Sequence, residues 1–293
     1  MAATAKIIPS MKGMGIRGKE INGFIRVILY LVMFGFTILT VYPLIWLVLN
    51  SFKTTQEFYI NVLGLPRQLF WLNYPLSWRL GNFSTLFLNS IFYTTVSTVA
   101  IIFLSLASSF AFAKIKSKAT PLLHGSFVIG ILITIQSLMV PLYIMSYKVG
   151  LYDTRWAVVI PYIGLGLPIG IYLCTEYIKG IPDAVMESAR IDGASYYKIL
   201  GMIAAPMARP VIVTLAILNV VGVWNEFMLI NMLISKNTLK SLPVGIMMFS
   251  GALASDWGKQ FAALTIGMLP MVIFYLFFRN QITKGVSAGA VKG

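Results

Sequence analysis

Six stretches of this chain, Val27 to Leu49, Leu86 to Ala113, Leu122 to Tyr147, Trp156 to Ile178, Pro210 to Ile234 and Phe261 to Phe278, are each long and apolar enough to read as a membrane span. About 20 residues of helix cross a ~30 Å hydrocarbon core, and in lipid the backbone must satisfy its own hydrogen bonds. Composition agrees: 58% of residues are hydrophobic and 11% charged, mean hydropathy is +0.83, and a soluble domain carries about a quarter charged residues. The expected fold class is an all-α membrane protein with six transmembrane helices. Residues 1–26 form a basic N-tail, 27–278 a transmembrane domain interrupted by a soluble loop at 179–209, and 279–293 a C-tail.

Basic residues orient the spans. The N-tail, the segment from Ala113 to Thr120, the 179–209 loop and the C-tail hold 15 Lys and Arg, against 8 in the other three loops. Short loops rich in Lys and Arg stay in the cytoplasm, so both termini and the 179–209 loop are expected there, with Lys114, Lys116 and Lys118 as the clearest anchor. The expected location is a cytoplasmic membrane crossed several times, with both termini inside. The net charge of +14 invites a nucleic-acid partner, but much of it flanks the spans, where it faces anionic lipid.

Several other classes lack their residues. The first apolar run is too long for a signal peptide and follows a basic tail without a small-x-small cleavage site. Cys174 is the one cysteine and His124 the one histidine, too few for a disulfide or a metal site, so no metal and no catalytic residue is expected. Gly13 to Gly18 satisfies G-x-G-x-x-G and Lys19 completes most of a P-loop, yet Glu20 stands where Ser or Thr would ligate magnesium and no strand precedes. No cofactor is therefore expected in this chain, and ATP and Mg, where its work needs them, are expected on another polypeptide.

The 179–209 loop reads as two short helices joined by a turn. Pro182 suits a first helical turn, Asp183 and Glu187 place negative charge toward the positive N-terminal end, and Gly193 can take the left-handed conformation that ends the helix. Ser195 is then an N-cap for a second helix running toward Pro206. Val185, Ala189 and Ile191 are expected to form a small apolar contact face, with Asp183, Glu187 and Arg190 on another side.

Within the spans, Thr94, Thr98, Ser105 and Ser109 fall near one helical face, and Gly166, Pro168 and Gly170 punctuate the fourth span; both patterns favour close helix contact over a wet path. Glu226 is an acidic residue inside the fifth run, about 24 Å along it at ~1.5 Å per residue. An intramembrane carboxylate faces protein or water; an interhelical hydrogen bond is the plainer reading of Glu226, and a place in a translocation path or gate, with Asn225 and with Gln136 in the third run, is what the family resemblance given below implies. The outer loop from Asn50 to Thr85 interleaves Phe52, Phe58, Trp71, Tyr74 and Trp78 with prolines, as suits lipid headgroups or an external protein. The loop from Ser235 to Gln260, with Ser250, Ser255 and Trp257, is the other candidate for external contact.

Glu187-Ser-Ala-Arg-Ile-Asp-Gly193, closing through Ile203-Ala-Ala-Pro206, resembles the EAA loop of binding-protein-dependent ABC importer permeases. Ser51-Phe-Lys53, Pro141-Leu-Tyr143, Lys148 to Thr154 and the terminal Lys284 to Gly293 are similar to the carbohydrate, maltose-type branch. The resemblance implies the type I importer permease fold and ATPase coupling through Asp183, Glu187, Ser188, Ala189, Arg190, Asp192, Gly193 and Pro206. It also implies a second, different permease, two ATP-binding subunits, an extracytoplasmic solute-binding protein and a sugar cargo, with no covalent chemistry in this subunit. Ser188 and Ala205 depart from the commoner Ala and Leu of that loop. Neutral oligosaccharide is the expected cargo, with an acidic saccharide or a glycerol phosphate as alternatives. A secondary transporter would need an ion-coupling cluster at broken helices, and neither partnering acids beside Glu226 nor such breaks are legible in the sequence.

Overall fold

The computed structural model describes residues 23–115, 117–252 and 256–290, with side chains throughout except at 250–252 and 282–290. The N-tail motif at 13–18, Lys116 and Ser255 lie outside the described residues, as do the side chains of Ser250 and of the C-tail beyond 281. Among the described residues every regular element is helical. The chain divides into two compact units at Leu47. The first carries most of α1 (Gly23–Asn50), apolar on all sides, whose Thr37 and Thr40 hydroxyls donate to Met33 O and Phe36 O at 2.8 Å and so hide their polarity against the helix itself.

The second unit is built around α4 (Phe83–Lys114) and α7 (Trp156–Lys179), after two short helices, α2 (Thr55–Ile60) and α3 (Asn73–Leu80). α4 and α7 pack along their length, and glycine makes the approach possible. A Cβ on Gly170 would stand 2.2 Å from Ser105 Oγ, and one on Gly166 would stand 2.4 Å from Ile101 Cδ1. Thr94, Thr98, Ser105 and Ser109 are all buried, so the hydroxyl stripe serves helix packing, as expected. Ser109 donates across the seam to Ile171 O at 3.0 Å, close to α7's Pro168, and α7 continues through both Pro161 and Pro168.

Two of the expected spans are broken. The third run divides into α5 (Thr120–Gly130) and α6 (Ile135–Lys148), bent by 101°. Gly130 followed by Ile131 to Thr134 gives a glycine and a mostly β-branched stretch, both poor in helix propensity, and Thr134 is extended (ψ 147°). The chain between the fourth and last spans runs through α8 (Asp183–Ile191), α9 (Tyr196–Ile199), a π turn at Leu200–Ala204, α10 (Ala205–Met207) and α11 (Arg209–Asn225). At Ala208 the axis turns by 77°, and α11 stops at Asn225, nine residues short of the expected end at Ile234. Glu226 and Phe227 leave the helix before α12 (Met228–Leu233), so Glu226 occupies a break and not the interior of a span. After a 3₁₀ turn at Asn237–Leu239, α13 (Leu242–Ala252) leads to α14 (Trp257–Ala290). Among the described residues four helices are long and apolar enough to cross a membrane, and up to six spans result when each bent pair is taken as one.

Candidate functional site

The end of the unit where α4 and α7 finish carries the helix-turn-helix. Pro182 stands just before α8 with extended backbone (ψ 133°) instead of inside its first turn. Gly193 adopts φ +80°, the left-handed conformation expected of it, and its N–H donates to Arg190 O at 3.0 Å while Ala194 N–H reaches back to Ala189 O at 2.9 Å. These bonds satisfy the last carbonyls of α8. Ser195 Oγ accepts from Lys198 N–H at 3.4 Å, the N-cap of α9.

The buried face of α8 differs from the expected one. Met186 and Ala189 are buried, Val185 is half-buried, and Ile191 is 86% exposed. Met186 and Ala189 join a core with Ile101 and Phe110 of α4, Cys174 and Ile178 of α7, Ile199, Ala204 and Ala208 of the loop, and Val211 and Leu215 of α11. The helix-turn-helix is thus fused to three spans by one apolar cluster. Lys114, expected as a topological anchor, also bonds into it: its ammonium donates to Ile181 O at 2.6 Å and to Asp183 Oδ1 at 2.7 Å. Arg190 stacks its guanidinium over the Tyr196 ring at 4.2 Å, linking the two short helices. Ser188 Oγ donates to Val185 O, while Glu187 and Asp192 are exposed, as are Tyr197 and Met202. Pro206 lies in α10, two residues before the bend at Ala208.

Glu226 sits where the backbone hydrogen bonds of the fifth run fail. Its Oε1 accepts from Leu229 N–H at 2.8 Å and so caps α12, while Tyr162 OH donates to Oε2 at 2.5 Å. Asn225 Nδ2 donates to Val221 O at 2.9 Å, at the other side of the break. Interhelical hydrogen bonding by Glu226 is therefore observed, with Tyr162 of α7 as the partner that sequence reasoning missed. Gln136 is exposed in the first turn of α6, beside the other break; α6 packs next to α12, with Ile135 against the cluster that holds Leu229 and Ile230. Both breaks lie at polar candidates, so the sequence argument from unbroken spans does not hold.

A third polar knot lies beyond the start of α7. Asp153, at φ +62°, accepts from Ser235 N–H at 2.9 Å and Lys236 N–H at 2.8 Å, with the Lys236 ammonium at 3.5 Å. Burial alone would raise its pKa, but the two amides and the ammonium of Lys236 hold the carboxyl below its ordinary value. Of the loop aromatics, expected against lipid or a partner, Phe58 is buried against α14 and Phe52 packs on Trp71 and Tyr74, while Trp71 and Trp78 remain 62% and 39% exposed. Phe58 meets Trp257 and Phe261 with ring centroids 5.3 and 5.1 Å apart, and Trp257 Nε1 donates to Tyr59 OH at 2.9 Å. Trp257 is thus half-buried in the chain's own core.

A helix-turn-helix fastened to bent, apolar, span-length helices, without a cluster of metal-ligating side chains among the described residues, is the architecture of an α-helical membrane protein with one structured loop region fused to its spans. Residues 103–287 match the binding-protein-dependent transport system inner membrane component family, and the chain belongs to it. It is 33% identical to the probable starch degradation products transport system permease protein AmyC of Thermoanaerobacterium thermosulfurigenes, over 87% of this chain and 93% of that one. It is 30% identical to the trehalose/maltose transport system permease protein MalG of Thermococcus litoralis, over 92% and 97% of the two chains. A crystal structure of a bacterial ABC transporter involved in import of the acidic polysaccharide alginate superposes with a TM-score of 0.76 at 20% identity, covering 88% of this chain and 96% of that chain. That likeness establishes the type I importer permease fold.

Proposed function

We propose that this chain is one permease subunit of an ATP-driven importer that carries a sugar or oligosaccharide across the cytoplasmic membrane. It pairs with a second permease, two ATP-binding subunits that hold ATP and Mg, and an extracytoplasmic solute-binding protein. The saccharide cargo is supported by the relatives named for starch degradation products and for trehalose and maltose. The observation that carries the mechanism is the helix-turn-helix at 183–207. It offers exposed Glu187, Ile191 and Tyr197 to a partner, yet is fused to α4, α7 and α11 through one core and the Lys114–Asp183 ion pair. A compact body of this kind, gripped by closing ATPases, transmits their motion to three spans together.

The excess of basic residues on one set of loops supports a cytoplasmic position for this loop and both termini. The breaks at Glu226 and Ile131 to Thr134 supply non-helical backbone that lines a path between permeases or permits it to open. Reconstitution of the chain with its partner subunits and binding protein in vesicles tests the proposal. Saccharide uptake that needs ATP and the binding protein, with hydrolysis stimulated by loaded binding protein, is the expected result. Uptake driven by an ion gradient without ATP would refute it.

A further inference from the structure

We infer that Lys240 is a specificity residue for an anionic group on the cargo, an inference that rests on the transport reading above. Lys240 is 7% exposed. Its ammonium donates to Met248 Sδ at 3.1 Å, and a thioether is a weak acceptor. A buried ammonium without an anion is costly, so such groups are paired or strongly hydrogen-bonded. The four ion pairs among the described residues are Lys114–Asp183, Lys179–Glu176, Lys236–Asp153 and Lys259–Asp256, and Lys240 is in none. Glu57 and Glu226 are committed elsewhere, to Arg67 N–H and to Tyr162 with Leu229 N–H. Lys53, the other buried lysine of this end, donates to Asn61 O at 2.6 Å and has Glu57 nearby. Lys240 alone of the two is left with sulfur.

The backbone around Lys240 is held rigidly, so the cation is presented and not adrift. Asn89 Nδ2 donates to Thr238 O and Lys240 O at 2.7 and 3.0 Å, Tyr93 OH donates to Leu239 O at 2.7 Å, and Leu242 N–H donates to Ser90 Oγ at 2.8 Å. All three of these α4 residues are themselves buried. Met248, by contrast, is 39% exposed and unbranched, so it can swing aside and yield its place to an oxyanion. A protein partner's carboxylate would meet Lys236, whose side chain is 64% exposed, more readily than Lys240. A small anionic group, the carboxylate of a uronate unit or a sulfate or phosphate ester, would reach the ammonium once Met248 moves aside.

The test is uptake by the complete reconstituted complex from a mixture of neutral, uronate-bearing and sulfate- or phosphate-ester oligosaccharides, with vesicle contents read by mass spectrometry. Wild type is expected to accumulate anionic members. Lys240→Gln should lower their uptake about tenfold relative to neutral members, the loss of one charge-assisted contact, and Lys240→Arg should restore most of it. Met248→Glu, which installs an internal counter-ion without touching the lysine, should give the same selective loss and covers the case in which Lys240→Gln does not assemble. Accumulation of neutral members alone by wild type, or equal losses for both kinds, overturns the inference and leaves the transport reading intact. Weaker binding-protein association whatever the cargo would assign the anion to a protein side chain and likewise overturn it. Absence of ATP-dependent uptake of any member refutes both readings.

Discussion

The two ends of α4 and α7 solve opposite problems. Where these helices finish, the chain builds a projecting body from local turn chemistry and small apolar contacts: Gly193, the Ser195 cap, Met186 and Ala189. Where they begin, it draws loops inward with polar side chains that bond backbone: buried Asn73 to Ser51 O and Lys53 O, buried Asn89 to Thr238 O and Lys240 O, and half-buried Asp153 to the 235–236 amides. One end leaves Glu187, Ile191 and Tyr197 outside; the other buries Phe58 against Trp257 of α14, with Trp71 left exposed. A projecting end can be gripped, and a stitched end can hold shape while a path opens beside it.

Glycine substitution at the two ends should break that comparison most visibly. A Cβ on Gly258 would fall 2.4 Å from Lys53 O and 2.7 Å from Asn73 Nδ2, so Gly258→Val forces backbone apart in the stitched end. We expect a loss of roughly 3 kcal/mol or more, seen as little folded protein in detergent by size-exclusion chromatography. Wild-type yield and melting temperature would show that this end is loosely built.

Gly193→Val meets no neighbour within 4 Å; its penalty is the left-handed backbone, ~1–3 kcal/mol for a β-branched residue. The variant should insert and pair with its partner permease, yet show a tenfold or greater fall in transport per ATP hydrolysed, an order-of-magnitude estimate from that strain. Glu187→Lys, at an exposed position, should weaken ATPase recruitment with the fold of the spans unchanged. Wild-type coupling ratios in both variants would reduce the helix-turn-helix to a connector.

The same contrast explains what the sequence revealed. The left-handed Gly193 and the Ser195 cap were legible because turn and cap chemistry is decided within a few residues. The α4–α7 seam was legible because Gly166, Gly170 and the hydroxyl stripe announce close packing. Hydropathy could not show the breaks, since Ile131 to Ile133 and Phe227 are as apolar as the helices they interrupt. Nor could local pattern pair Glu226 with Tyr162, 64 residues away, or Lys114 with Asp183, 69 away. The misjudged face of α8 has a related cause. Apolar residues occupy both its sides, and α4, α7 and α11 decide that Met186 turns in while Ile191 stays out.

At the fifth-span break, Glu226→Gln keeps the shape but weakens the bonds to Tyr162 OH and Leu229 N–H. The expected cost is ~1–3 kcal/mol, a severalfold slower uptake with normal membrane insertion. Tyr162→Phe should do the same, and the double variant should be scarcely worse than either single one, since both remove one contact. Strict additivity would mean that Glu226 acts through another partner and that the break is held differently.

The smallest effect is expected at Asp153. Its carboxyl has a pKa lowered from the ordinary 3.8 by the Lys236 and Ser235 contacts that outweigh burial. Stability from such a group is fully present above the ordinary carboxylate pKa and is lost only as pH falls below it through the lowered folded value. The wild-type contribution should therefore be flat from neutral pH down to about pH 5 and fade only in stronger acid. Asp153→Asn keeps an oxygen for the two amides but surrenders the charge, and should cost about 1 kcal/mol at neutral pH. Because Asn tolerates a positive φ as well as Asp does, the loss should reflect charge and not backbone. Melting curves of wild type and variant in detergent should then converge as pH drops below the carboxylate range. A gap that persists unchanged at low pH would show that the knot depends on shape alone, and that the stitched end is less electrostatic than its geometry indicates.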